Sequence, residues 1–127
     1  MDKATPATIL VIEDHDSVRI AISRFLKTGG FQVLEAASPE AAKSIWKEHS
    51  SRINLLLADI ALQTSSGPDL VRDLLKKGPK IPVIFATATE EDHAKKATRN
   101  FKNPTILQKP FSPEVLVKAI NAALARN

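Results

Sequence analysis

Residues 8–14 read T-I-L-V-I-E-D, a short apolar run that ends on two acids. The run is continuous rather than alternating and rich in β-branched residues. That pattern suits a strand of a parallel sheet covered on both faces. The same phrase recurs as I-N-L-L-L-A-D at 53–59, V-I-F-A-T at 83–87 and T-I-L-Q-K at 105–109. Strands are therefore expected over 8–12, 53–58, 83–86 and 105–107, with a shorter one at 32–35.

Helical periods fill the intervals. Val18, Ala21, Ile22, Phe25 and Leu26 recur at i, i+3, i+4, i+7 and i+8, and Gly29-Gly30 supplies a stop. Ala42, Ile45, Trp46 and His49 form a second stripe, opened by Ser38-Pro39 as N-cap and first-turn proline. Val71, Leu74 and Leu75 follow Gly67-Pro68. Leu116, Ala119, Ile120 and Ala123 follow Ser112-Pro113. The segment 90–101 has only Ala94, Ala97 and Phe101 on one side, which predicts a weakly held helix.

Five β-α repeats imply a parallel sheet with right-handed crossovers. The fold class expected is α/β: a doubly wound, flavodoxin-like three-layer sandwich with strand order 2-1-3-4-5. The 127 residues fit one domain, 1–127, and no output domain is read beyond the fifth helix.

Composition narrows the function classes. Apolar residues make up 43% and charged residues 25%, enough for a real core. No apolar run approaches the roughly 20 residues of a membrane span, and residues 1–8 lack the apolar middle of a signal peptide. Cysteine is absent, which excludes disulfides and thiolate metal sites. The expectation is a cytoplasmic protein without membrane contact. The net charge of +4 is spread over pairs such as Lys76-Lys77 and Lys95-Lys96, with no recognition-helix motif and no aromatic platform. Direct nucleic-acid binding is not expected.

Chemistry collects at the strand ends. The first run ends in Glu13-Asp14, the third in Asp59, the fourth in Thr87 and the fifth in Lys109. Open α/β sheets bind ligands beyond the carboxyl ends of their strands. Any one such residue is an ordinary solvated loop charge. Four strand ends delivering three acids, a hydroxyl and an amine to one edge make a site. Three close carboxylates repel unless a hard divalent cation with oxygen ligands relieves them. A lysine and a hydroxyl beside them suit phosphoryl oxygens. With no Cys, His or Ser placed for the role, one acid must be the nucleophile.

These motifs carry a resemblance over essentially the whole chain. V-I-E-D-H-D-S-V-R at 11–19, L-L-L-A-D-I-A-L at 55–62, P-V-I-F-A-T-A at 82–88 and Q-K-P-F at 108–111 resemble a two-component response-regulator receiver domain, and Asp59 to Gly67 keeps that family's usual spacing. The resemblance implies that Asp59 accepts the phosphoryl group. It implies that Glu13, Asp14, Asp59 and the backbone carbonyl of Ala61 hold Mg²⁺, with Mn²⁺ as an alternative. Thr87 would move to meet the phosphoryl group, Lys109 would pair with it, and the Lys109-Pro110 bond would be cis. The donor would be a phosphohistidine on a sensor histidine kinase or a histidine phosphotransfer protein, and the downstream target is not readable. A homodimer through the last helix and strand is allowed, but no seam is legible.

The sequence also departs from the family pattern. Ile106 occupies the place of the usual switch aromatic, Gln63 that of a frequent proline, and Thr89 and Ala61 stand two residues after the hydroxyl and the acceptor. An aliphatic Ile106 cannot perform the ring swing that the family often couples to its hydroxyl. On this reading the 87–111 face is the responsive one.

Two other functions compete. An aspartyl-phosphate phosphatase looks for a second acid two residues after its nucleophile, where this chain has Ala61. The chain is thus read as no turnover enzyme, beyond slow hydrolysis of its own acyl phosphate. A fold-only interaction domain is disfavoured by the intact acids, Thr87 and Lys109. No G-x-G-x-x-G or G-K-[ST] loop is present. The remaining polar residues carry bland expectations. Asp16 would cap the first helix, His15 and His93 would be exposed loop histidines, and His49 would be half-buried. Trp46 would pack at the core margin, Arg19 would face solvent, and Asp2-Lys3 carry no message.

Overall fold

The structure is a computed structural model describing residues 5–102 and 104–126. Asp2 and Lys3 lie outside the described residues. Five strands and five helices alternate: β1 (Thr8–Ile12), α1 (Asp16–Thr28), β2 (Gln32–Ala36), α2 (Pro39–His49), β3 (Leu55–Asp59), α3 (Gly67–Lys76), β4 (Val83–Thr87), α4 (Glu91–Ala97), β5 (Thr105–Gln108) and α5 (Pro113–Ala125). The strands form one parallel sheet in the order β2-β1-β3-β4-β5, the order expected from the sequence.

The continuous apolar runs are explained by the two cores. Successive strand residues point to opposite faces. Leu10, Ile12, Leu56, Ala58 and Phe85 join Trp46, Leu70, Val71 and Leu74 on one face. Ile9, Val11, Leu55, Leu57, Ile84 and Ala86 join Ile22, Leu26, Leu116 and Ile120 on the other. The edge strands are less buried, β2 most visibly, because one side of each has no neighbour. That is why its apolar signal was short.

The helix starts at Ser38 and Ser112 follow the predicted chemistry, and Ser66 adds a cap that the sequence reading did not name. Ser38, Ser66 and Ser112 each accept a hydrogen bond from the backbone three residues on, with a proline in the first turn. Gly30, at φ 93°, ends α1 in the left-handed region that a Cβ disfavours.

Four local expectations are corrected. Ile53 is buried but precedes β3, because its N–H bonds Ser50 O at the end of a 3-10 turn. Asp16 does not cap α1: His15 is the N-cap residue, and Asp16 sits in the first turn paired with Arg19. Trp46 is a core residue, 3% exposed, not a marginal one. The 90–101 helix stops at Ala97, where buried Thr98 donates its hydroxyl to Ala94 O at 2.9 Å. Phe101 then packs edge-on against Phe85, with ring centroids 5.0 Å apart. His49 is half-buried, as expected, and His93 is exposed, but on α4 rather than in a loop.

Candidate functional site

The parallel register brings the ends of β1, β3, β4 and β5 to one edge. Asp59 lies beside Ala86 in the ladder, and Thr87 beside Gln108. The β3–α3 connection turns back sharply over Asp59, where Gly67 N–H bonds Ile60 O at 2.8 Å. A Cβ on Gly67 would stand 1.8 Å from Asp59 O, so only glycine fits this approach.

Lys109 is the electrostatic centre. Its Nζ donates to Glu13 Oε1 at 2.5 Å and to Asp59 Oδ2 at 3.0 Å. The peptide bond after it, Lys109-Pro110, is cis. Asp59 Oδ1 accepts from Ala61 N–H at 3.1 Å. Asp14 Oδ2 accepts from Gln63 N–H at 2.6 Å. Asp14 Oδ1 is buried with no hydrogen-bond donor.

Burial pushes the Asp59 carboxyl above its ordinary range, and Glu13's charge adds to the rise; Lys109 opposes it without cancelling it. Burial acts in the same direction on Glu13, but the Lys109 and His15 hydrogen bonds outweigh it and hold that carboxyl low. Burial alone would lower the Lys109 ammonium, yet its two acceptors keep it above its ordinary value.

Thr87 is fully buried, with its hydroxyl engaged by Thr89. Its Oγ1 accepts from Thr89 N–H at 2.9 Å and lies 2.7 Å from Thr89 Oγ1. The expected residues Glu13, Asp14, Asp59 and Lys109 thus converge directly, while Thr87 lies at the same edge with its hydroxyl engaged elsewhere. Ala61 is exposed beside Asp59, which it touches through its N–H.

Two residues were underrated from the sequence. Arg19 is not on a solvated face: its side chain is 14% exposed and donates to Glu13 O, Asp16 Oδ1 and Glu35 Oε1. His15 is exposed, yet its Nδ1 lies 3.2 Å from both Glu13 Oε2 and Asp14 Oδ1. Only proximity to the acidic pair hinted at either role.

The site fits a divalent cation. Glu13, Asp14, His15 and Asp59 each present a ligand atom within 4.8 Å of the others. Three carboxylates face one ammonium, and Asp14 Oδ1 lacks a donor; a small cation answers both.

Comparison with known proteins agrees with this geometry. The response regulator receiver domain model matches residues 9–121. The sensor kinase CckA of Brucella abortus is 32% identical over 98% of this chain, which covers 13% of that protein. The phosphate regulon transcriptional regulatory protein PhoB of Pseudomonas aeruginosa is 31% identical over 94% of this chain and 52% of its own length. A crystal structure of a response regulator receiver domain protein from Clostridium thermocellum superposes with a TM-score of 0.84 at 31% identity, covering 94% of this chain and 95% of that one. The chain spans between about an eighth and about half the length of these two curated relatives. No helix among the described residues is long and apolar enough to cross a membrane. With acids, lysine and hydroxyl gathered at one sheet edge and this family matched across nearly the whole chain, the protein belongs to the response regulator receiver domains, the phosphoryl-accepting signalling switches of two-component systems.

Proposed function

We propose that Asp59 is the phosphoacceptor, and that Glu13, Asp14, Asp59 and the Ala61 carbonyl hold Mg²⁺, or Mn²⁺ in its place. The observation that supports this most is the Lys109 ammonium held between Glu13 and Asp59 at the carboxyl end of β3. Mg²⁺ when bound supplies the positive charge that three acids and an incoming phosphoryl group require.

The chain's own residues account for the rest. An Asp59 carboxylate oxygen attacks the phosphorus of a phosphohistidine. The P–N bond breaks, and the donor imidazole leaves with the electron pair and takes up a proton. An acyl phosphate on Asp59 results. Lys109, already 3.0 Å from Asp59 Oδ2, pairs with a phosphoryl oxygen. Thr87 gives up Thr89 and donates its hydroxyl to another. Water attack on phosphorus returns Asp59 and inorganic phosphate, so the chain hydrolyses its own acyl phosphate but turns over no external substrate.

The donor is a sensor histidine kinase or a histidine phosphotransfer protein. The response is carried by the 87–111 face, in a cytoplasmic module spanning 1–127. Incubation with acetyl phosphate should label the protein only with Mg²⁺ present. Asp59→Asn should abolish the label; unchanged labelling of that variant would falsify the assignment.

A further inference from the structure

His15 adds to the acidic site something that an oxygen-only cation site does not need. Its backbone N–H donates to Glu13 Oε2 at 3.1 Å, which seats the residue over the acids. Its side chain is 61% exposed, while Nδ1 lies 3.2 Å from Glu13 Oε2 and 3.2 Å from Asp14 Oδ1. The Asp14 side chain is only 9% exposed, yet Oδ1 has no hydrogen-bond donor. A buried carboxylate oxygen without a donor is costly, and a cation is the partner that satisfies it.

The chemistry of the donors then distinguishes cations. Mg²⁺ is hard and takes oxygen ligands and waters. Imidazole suits zinc, nickel and copper, which also rank above the lighter divalent metals in affinity for mixed nitrogen and oxygen sites. An oxygen from each of Glu13, Asp14 and Asp59 together with a His15 nitrogen, all within 4.8 Å, is such a mixed set.

We propose that His15 Nδ1 is a nitrogen ligand that lets Zn²⁺ bind at this site with Asp14 and Glu13, in competition with Mg²⁺. The proposal rests on the metal reading above and extends it to a second class of cation. A zinc ion held there occupies the acids that the phosphoryl reaction uses, so zinc would oppose labelling of Asp59.

Calorimetric titration of the full chain with Zn²⁺ and, separately, with Mg²⁺ tests this. His15→Ala should weaken Zn²⁺ binding about tenfold or more and leave Mg²⁺ binding within about twofold, because oxygen donors alone serve Mg²⁺. Nitrogen-detected NMR of the wild-type imidazoles gives a readout that needs no variant. Zn²⁺ should shift Nδ1 of His15 and leave His49 and His93 in place. Equal Zn²⁺ affinity in wild type and His15→Ala, or a shift confined to another histidine, overturns the proposal. Failure of the wild type to bind Mg²⁺ is a different result and overturns the underlying metal reading.

Discussion

Glu13 and Thr87 are both buried polar residues at strand ends, but their surroundings differ. Around Glu13 most groups are tied. Lys109 and His15 bond its carboxylate, Arg19 bonds its carbonyl, and its N–H bonds Ala36 O. The thirteen-residue α1 then docks through buried Ile22 and Leu26. Around Thr87 the hydroxyl is held by its close neighbour Thr89. The following α4 has seven residues, and Ala94 is its one fully buried apolar side chain among those described. Beyond it β5 is partly exposed along its length. On the proposed function, the acidic side is organised before any phosphate arrives, which electrostatic catalysis requires. The hydroxyl side is held by little, which a switch requires.

The largest effect should come from cutting the link that spans the two sides. Lys109→Ala leaves Glu13 and Asp59 buried without their cation. In metal-free protein at pH 8 it should cost about 3 kcal/mol in urea unfolding. The loss should shrink toward pH 4 as the carboxylates protonate, and phosphoryl labelling should fall at least about a hundredfold. A small, pH-independent loss would contradict the picture of a pre-organised acidic side.

Next is the backbone over Asp59, the proposed acceptor. Gly67→Ala forces a Cβ toward Asp59 O, so the β3–α3 turn must open. We expect about 2 kcal/mol of destabilisation and a loss of labelling. Normal labelling would show that the turn gives way without displacing Asp59.

A smaller effect has the opposite sign. Asp59 has a raised carboxyl pKa in the fold, so its charge costs stability in full above that folded value. Below its unfolded value near 3.9 the cost vanishes. Asp59→Asn should therefore raise the metal-free Tm by a few degrees at pH 7.5, on the order of 3 °C, with no gain at pH 3. Glu13 runs the other way. Its pKa is lowered, so its contribution is present at neutral pH and is lost as pH falls below the ordinary glutamate range.

The subtlest prediction concerns the hydroxyl side alone. Amide exchange should be fastest among the helices in α4. A phosphate mimic should alter protection across 87–111 while leaving 8–19 nearly unchanged. Indistinguishable profiles with and without the mimic would remove the contrast between a fixed and a movable side.

Much of this was legible beforehand because strong local patterns carried it. Uninterrupted runs such as T-I-L-V-I and L-L-L-A-D declared doubly covered strands, and the residues closing them marked the candidate site. The errors fell where local and tertiary preferences conflict. Ile53 is apolar and buried without belonging to the ladder. Phe101 lies on the apolar stripe of 90–101, yet α4 ends at Ala97 and Phe101 packs on Phe85 beyond it. Arg19 reads as a surface charge until β2 brings Glu35 alongside.

The sequence by itself determined the five β-α units, the helix starts at Ser38 and Ser112, and the identity of the candidate acids, Lys109 and Thr87, because periodicity and capping are local. Only the tertiary structure decided which of those groups touch. Lys109 reaches Glu13 across 96 residues and Asp59 across 50, one Asp14 oxygen is left without a hydrogen bond, and Thr87 turns to Thr89. Hydrogen-bond geometry and desolvation depend on distances of a few ångströms between distant parts of the chain, and no local pattern encodes those.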